Sequence, residues 1–466
     1  MFSFESYLSP FSWRYGSSEM RAVWSEVNKR RLWRRIWVAL ARIEMQFGLV
    51  TADQVDEMDQ AVSAVDMEWS LHLEAEIHHD LMAELKVFAA QSPLAGGIIH
   101  LGATSMDIED NADAIRLRQS VDLILGGLEE LLRTFAKKIE QYAAQPVMAY
   151  THLQPAEPTT LGYRLSLYAQ DLLHDWQDLR RLRAEIRGKG FKGAVGTAAG
   201  YADLIGEDKI TDFENRLTQL LDLPFYSISS QTYPRRQDFI FISALAAVAA
   251  SLSKFALDLR FLQSPAVGEV SEPFSAKQVG SSAMPFKRNP IMAEKIDSLA
   301  RQLSVNPQIA WQNAANSILE RTLDDSANRR TLLPESFLIC DELLITAQKL
   351  LDGLQVHTEV MQANLDRYAP FASTERIMML ASKRGADRQE MHELLREHTL
   401  TAWKDLQNGK QNPLINALKN DTRITRYLSP QEIDQLLKVD GYTGKAKQWA
   451  LQMSARIFGE LKCPPL

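Results

Sequence analysis

Cysteine is nearly missing from this chain, with two in 466 residues, Cys340 and Cys463. Neither belongs to a CxxC pair or another ligand spacing. That excludes a disulfide scaffold and a zinc knuckle, and it fits a reducing compartment such as the cytoplasm. Long apolar runs are missing too. The longest, Phe239 to Leu252, falls short of the roughly 20 residues that a bilayer span needs. The N-terminal stretch MFSFESYLSPFSWRYG places Glu5 and Pro10 early and has no basic-then-apolar order, so it does not read as a signal peptide. Positive charge is not in excess: 52 Lys and Arg against 59 Asp and Glu leave −7. That argues against a nucleic-acid partner and against a polybasic membrane surface. It does not exclude an anionic substrate, which responds to the local field in a cleft. Strand series, internal repeats and low-complexity tails are also lacking.

What remains is an ordinary globular balance, 45% apolar and 24% charged, in a chain long enough for two or three domains. Its apolar residues follow helical spacing. Residues 17–50 space Val23, Val27, Trp33, Ile36, Leu40 and Ile43 on helical faces, and Thr51 reads as the cap of a short helix. A long helix begins at Asp107, steps through Ile124, Leu128, Leu131, Phe135 and Ile139, and ends by Pro146. A second follows Pro158 as far as Gly188. A third spans Gln237 to Gln263 and is apolar or small all round in its first half, which predicts a place inside a bundle. A fourth starts at Pro290 and a fifth runs from about Pro334 to Leu354; shorter helices start near Arg388 and Pro430. The expected fold class is all-α. The expected domains are 1–105, a long central bundle over 106–356, and 357–466.

The stretch that stands apart is Gly280 to Pro290, GSSAMPFKRNP, within a polar loop over 271–290. Glycine and Pro285 set an unusual backbone path, and loops held on a rigid scaffold often carry chemistry. Ser281, Lys287 and Asn289 are candidates for a base and an anion clamp, although a surface turn with a solvated lysine has the same composition. Asn289 also suits a cap for the helix at Pro290. THLQP, Thr151 to Pro155, falls in the break between two bundle helices, where a histidine titrates near neutral pH. A histidine satisfied in a helix corner fits that position too.

Two histidine clusters invite a metal reading and fail it. His78 and His79 are adjacent and so leave a helix on different sides, and no HExxH follows. In His392 to His398 the second histidine lies two positions too far for that motif. A glycine-rich segment, Gly188 to Gly200, lacks GxxxxGK[ST] and is not a P-loop. HLGATS, His100 to Ser105, is a small-residue turn before the first long helix; Thr104 and Ser105 suit either a helix cap or a bound carboxylate.

Three of these motifs carry a resemblance. GSSAMPFKRNP matches every fixed position of the GSSxMPxKxNP signature of the fumarase/aspartase superfamily, and THLQP and HLGATS resemble its other motifs. Within it the chain resembles the adenylosuccinate lyases over essentially its whole length. Arg14-Tyr15 resembles their nucleotide-phosphate contact and Gln231-Thr-Tyr-Pro-Arg a substrate loop. Glu320 to Arg330 resembles the animal-type form. The resemblance implies a three-part helical layout and a homotetramer with active sites shared between subunits. It implies a carbon–nitrogen lyase that releases fumarate from succinyl nucleotides in purine biosynthesis, without metal or organic cofactor. It makes Ser281 the base, His152 the acid with Gln154 as support, and Lys287 and Asn289 the carboxylate clamp. His79, fixed by Asp80, would orient the reacting groups. Thr104, Ser105, Thr151, Gln231, Arg14, Tyr15, Arg321, Ser326 and Arg330 would contact substrate. Lys295 departs from an arginine that animal-type relatives can carry there, which bears on how the two succinyl substrates are separated. Sister lyases for argininosuccinate, aspartate or malate offer no phosphate to Arg14, Arg321 and Arg330. A non-catalytic scaffold would be expected to have lost acid, base or clamp residues, and a nucleotide-binding regulator would bind AMP without turnover.

Overall fold

A computed structural model describes residues 4–275, 277–438 and 442–462. Met1 to Ser3, Ala276 and Cys463, all touched by the sequence reading, lie outside them. The described residues are 67% helix and 4% strand, an all-α fold.

The N-terminal part comprises α1 (Ser18–Val23), α2 (Glu26–Gln46), α3 (Ala52–Ala61), α4 (Met67–Ile77) and α5 (Asp80–Gln91). Thr51 caps α3 in a capping box with Gln54, as its sequence predicts. Then comes α6 (Ser105–Gln141), whose 37 residues reach about 55 Å at the usual rise. After it, β1 (Pro146–Thr151) and β2 (Gln154–Thr160) form an antiparallel hairpin leading into α7 (Leu161–Ala184). The chain continues through α8 (Ala199–Ile205), α9 (Ile210–Leu221), α10 (Arg236–Gln263), β3 (Val270–Ser271), α11 (Ile291–Leu303), α12 (Asn306–Ala315) and α13 (Ser326–Asp352). A short β4 (Gln355–Val356) pairs with β3. The rest is α14 (Thr358–Ala372), α15 (Thr374–Lys383), α16 (Arg388–Gln407), α17 (Leu414–Asn420), α18 (Thr422–Thr425), α19 (Pro430–Leu437) and α20 (Ala446–Glu460).

The largest apolar core joins α6, α7, α10, α11, α13 and α20, through residues such as Leu128, Leu172, Phe255, Ile296 and Phe337. These long helices give the site a stiff frame. A second core packs α2, α3 and α5 with α8, α9 and the start of α6, and a third holds α15 to α19.

Three expectations change. The break holding THLQP is a β-hairpin: with only two strands both are edges, so Pro146, Pro155 and Pro158 cost no interior ladder bond. Helix α13 starts at Ser326, eight positions before the expected Pro334, and continues through that proline. Proline removes one hydrogen bond, to the Arg330 carbonyl, and burial of Leu332, Leu333 and Phe337 on both sides outweighs it. Helix α10 is apolar and long enough to cross a membrane by length and composition, yet it packs against α7, α11 and α13. It is not buried all round in the single chain, since Ala247, Ala250 and Leu257 are exposed.

Candidate active site

The residues singled out in the sequence fall into four groups. The first stands where α5, α6 and α13 meet. His79 is the N-cap of α5 and His78 the left-handed C-cap of α4, so the two sit at a helix junction and not on one helix as expected. His79 Nδ1 accepts from the Met82 N–H at 3.4 Å, and Nε2 lies 3.4 Å from Ser105 Oγ. The Asp80 carboxylate accepts from the Leu81 N–H at 2.8 Å and from Arg330 Nη2 at 2.9 Å. It lies 3.9 Å from His79 Nδ1. Burial pushes Asp80 up, but Arg330 and Lys29 outweigh it and hold the carboxyl below its ordinary value. Thr104 caps α6, and its N–H donates to Asp107 at 3.0 Å.

A charged cleft opens beside this group, lined by Lys29, Asp80, Glu109, Arg321, Ser326 and Arg330. Arg321 Nη1 donates to Asp325 at 2.8 Å, and the other Asp325 oxygen accepts from Arg235 Nε at 2.5 Å. Arg235 reaches both oxygens of Asp110 on α6 at 2.9 and 3.0 Å. The Gln231 N–H donates to the Glu320 carbonyl at 3.3 Å, tying the 231 loop to the 320 loop. Burial and the Asp80, Asp113 and Asp110 carboxylates push Glu109 up to about 8, against Lys29.

The second group is the hairpin tip. Thr151 pairs with Gln154, leaving His152 and Leu153 as a two-residue turn with φ of 50° and 59°. Both are left-handed, as a type I′ turn requires, at about 1–2 kcal/mol per non-glycine residue. Strain of this kind persists where the surroundings hold it, and it is common at functional sites. The hairpin packs on α14, which supplies that support. Thr151, His152 and Gln154 are exposed, and Leu153 is 68% exposed.

The third group is the signature loop. Ser281 Oγ accepts from the N–H groups of Ala283 at 3.3 Å and Met284 at 3.1 Å. Asn289 Nδ2 donates to the Gly280 carbonyl at 3.2 Å and so joins the ends of the signature, while the helix cap is Pro290. Lys287 is exposed.

The fourth group is Arg14 and Tyr15. The Arg14 guanidinium lies 5.9 Å from the Tyr15 ring centre, within cation–π range. The following Gly16 N–H donates to Glu342 at 2.8 Å, and Lys295 Nζ donates to the other oxygen of Glu342 at 2.5 Å. The departing residue Lys295 is thereby linked to the Arg14 segment.

Among the described residues no hydrogen bond or ion pair joins Ser281, Lys287 or His152 to the His79 and Arg330 group. His398, in the cluster that failed the metal reading, pairs with Asp421 at 2.8 Å. No group of three or more His, Cys, Asp or Glu among the described residues is placed to hold a metal ion.

Sequence reasoning missed the supports. Asp107 gathers the glycine-rich segment: it accepts from Lys189 Nζ, the Lys192 and Gly193 N–H groups at 3.2 Å each, and the Tyr201 hydroxyl at 3.4 Å. The segment wraps a buried carboxylate, and nothing in its own spacing points to one. Asp325 is four positions from Arg321, and its sequence suggests a surface ion pair there; the pair forms, but Asp325 is 2% exposed with three arginines around it, which shows only in the fold.

A family model described as a lyase matches residues 14–304, and another, described as the adenylosuccinate lyase C-terminus, matches residues 370–452. The adenylosuccinate lyase of Saccharomyces cerevisiae is 39% identical over 456 residues, covering 96% of this chain and 93% of its own. That of Schistosoma mansoni is 41% identical over 428 residues, covering 90% and 89%. That of Pyrococcus horikoshii is 35% identical over 442 residues, covering 94% and 95%. Among solved structures, a 3-carboxy-cis,cis-muconate lactonizing enzyme from Pseudomonas putida matches with a TM-score of 0.85 at 26% identity, over 97% of this chain and 99% of that one. A fumarate lyase from Mesorhizobium sp. BNC1, at 23% identity and a TM-score of 0.83, shares the fold.

Proposed function

Since the chain belongs to the adenylosuccinate lyase family of the fumarase/aspartase superfamily, we propose that its reaction, release of fumarate from adenylosuccinate to give AMP, is carried by Ser281 and His152. The same elimination on the succinyl-carboxamide imidazole ribotide, SAICAR, gives AICAR. One C–H proton next to a carboxylate leaves to the base, and its electron pair forms the fumarate double bond. The C–N bond breaks, and the nitrogen takes a proton from the acid.

The observation that carries this reading is the pair of backbone N–H groups on Ser281 Oγ. A serine hydroxyl is a poor base unless its anion is stabilised, and two fixed donors do that before substrate arrives. Lys287 and Asn289 on the same loop would hold the carboxylate on which charge grows. His152 would protonate the departing nitrogen, with Thr151 at the substrate and Gln154 in support. His79 would orient the reacting groups, held by the Met82 N–H and Ser105; Asp80, expected to fix it, bonds Arg330 and the Leu81 N–H instead. Thr104 and Ser105 serve a carboxylate, while Gln231, Arg321, Ser326, Arg330, Arg14 and Tyr15 serve the nucleotide and its phosphate. Arginine's planar fork suits those anions.

We further propose that the site is completed by other copies of the chain in a homotetramer. The segments bearing the candidates expose apolar side chains that a monomer has no use for: Leu153 at 68%, Phe286 at 83% and Leu319 at 87%. The outward face of α10 would pack in the tetramer core. The proposed domain division, 1–105, 106–356 and 357–466, follows these parts, except that α8 and α9 pack with the N-terminal helices. The metabolic role and the free buried thiol of Cys340 support a cytoplasmic location. Mixing Ser281→Ala with His152→Ala chains tests the shared site. Activity recovered after verified subunit exchange is expected, and none recovered contradicts it. Argininosuccinate, aspartate and malate are expected to be inert.

A further inference from the structure

We propose that Glu272 is a positioning residue for Ser281, Lys287 and Asn289, acting as a clasp that closes the base of the signature loop. The catalytic half of this proposal rests on the reading of Ser281 given above.

Glu272 is 6% exposed and is the first residue past the point where the incoming limb is tied into a strand. Its carboxylate crosses to the outgoing limb. Oε2 accepts from the Met292 N–H at 3.0 Å and Oε1 from the Ala293 N–H at 2.6 Å. These are among the free N–H groups that begin α11, where the helix dipole favours negative charge. The α11 N-cap is Pro290, which offers no side-chain acceptor. Glu272 therefore does the work of the missing cap from twenty positions upstream, and in doing so joins the two limbs. Burial pushes its carboxyl up and the two N–H bonds pull against that. No Lys or Arg pairs with it among the described residues, so its charge is spent on the backbone.

A second stitch uses the same residue. The Glu272 N–H donates to Gln263 Oε1 at 2.9 Å, and Gln263 Nε2 donates to the Arg288 carbonyl at 3.1 Å. The incoming limb is anchored in turn, since Ser271 Oγ lies 2.9 Å from His357 Nε2 and β3 pairs with β4. Inside the clasp, Asn289 holds the Gly280 carbonyl, and a Cβ at Gly280 would fall 2.0 Å from the Lys287 carbonyl oxygen. Among the described residues no hydrogen bond or ion pair ties residues 281–287 to another part of the chain, and Val279 is 77% and Phe286 83% exposed. The shape of residues 281–287 is thus set at the base, by one carboxylate and one amide.

Glu272→Gln keeps the size but turns one acceptor into a donor facing an N–H. The expected result in the full-length protein is a fall in kcat of about 10- to 100-fold, larger than any change in KM, as misplacement of a reacting group gives. Trypsin should nick the folded variant faster after Lys287 and Arg288, with the overall melting temperature little changed. Glu272→Asp should recover part of both. Gln263→Met, which cuts only the second stitch, should move nicking in the same direction by less. Wild-type nicking and wild-type kcat in folded Glu272→Gln would overturn the proposal. Should that variant not fold, unchanged nicking in Gln263→Met would overturn it instead. Faster nicking of Glu272→Gln with no turnover by the wild type would keep the clasp and overturn the serine assignment.

Discussion

Ser281 Oγ accepts the backbone N–H of Met284 at 3.1 Å, and Met284 opens the next turn, which the Lys287 N–H closes on the Met284 carbonyl at 3.0 Å. Base, anion donors and cation are therefore joined through Met284, and closure over substrate would move them together. The proline between them, Pro285, stiffens that turn.

His152→Asn separates turn chemistry from proton transfer. Asparagine accepts the left-handed conformation that His152 adopts at φ 50°, so the hairpin is expected to form with an unchanged melting temperature. A general acid is worth about 10²- to 10⁴-fold, and kcat should fall by that order. Steady-state kinetics beside a thermal melt checks both. Retained kcat would remove His152 from the acid role.

Arg321 is held by Asp325, and both should act on binding more than on chemistry. Charge-assisted hydrogen bonds contribute about 1.5–3 kcal/mol, which corresponds to about a 10- to 100-fold rise in KM for Arg321→Gln. Asp325→Asn is expected to shift KM the same way, and the double variant by no more than the larger single effect, because the two act as one unit. Additive losses in KM would show that Asp325 works elsewhere.

Glu109 predicts a pH effect in the cleft it shares with Arg321 and Arg330. Burial and neighbouring carboxylates push it up to about 8, so it is neutral below that pH and anionic above it. Its charge then opposes an anionic substrate. KM is expected to rise above pH 8 in the wild type and to stay flatter in Glu109→Gln. Superimposable KM profiles for the two proteins would contradict this.

Glu44 makes a prediction about stability alone. It is 1% exposed, its Oε1 has no partner, and burial pushes its carboxyl up to about 8. A folded pKa above the unfolded value means stability is fully present below about pH 4 and is lost as pH rises toward 8, by at most about 1.4 kcal/mol per unit. The melting temperature of Glu44→Gln relative to wild type should therefore improve from pH 5 to pH 8. A pH-independent difference would rule out the buried charge as the cause.

The long helices were legible because burial imposes their spacing: Ile124 to Ile139 and Leu161 to Leu182 lie where the pattern places them. The THLQP hairpin was not legible, since three prolines mask a two-stranded ribbon whose edges tolerate them. The start of α13 was hidden by Pro334, which reads as a boundary and is carried inside the helix. Ser281, His152, His79 and Arg330 were legible as motif residues. Their supports Glu272 and Asp107 were not, because each acts across the fold from where it stands in the chain; the Arg321–Asp325 pair was legible from its spacing, but its burial was not. Nor could spacing show that, among the described residues, no hydrogen bond or ion pair links Ser281, Lys287 or His152 to the His79 and Arg330 group within one chain, which depends on how helices pack.

The most direct measurement is the ultraviolet absorbance of adenylosuccinate incubated with the purified protein and EDTA, beside Ser281→Ala. Loss of the succinyl-purine signal with wild type only, at a rate that EDTA leaves unchanged, is the expected result. No turnover by folded wild-type protein, or equal turnover by Ser281→Ala, would contradict the account.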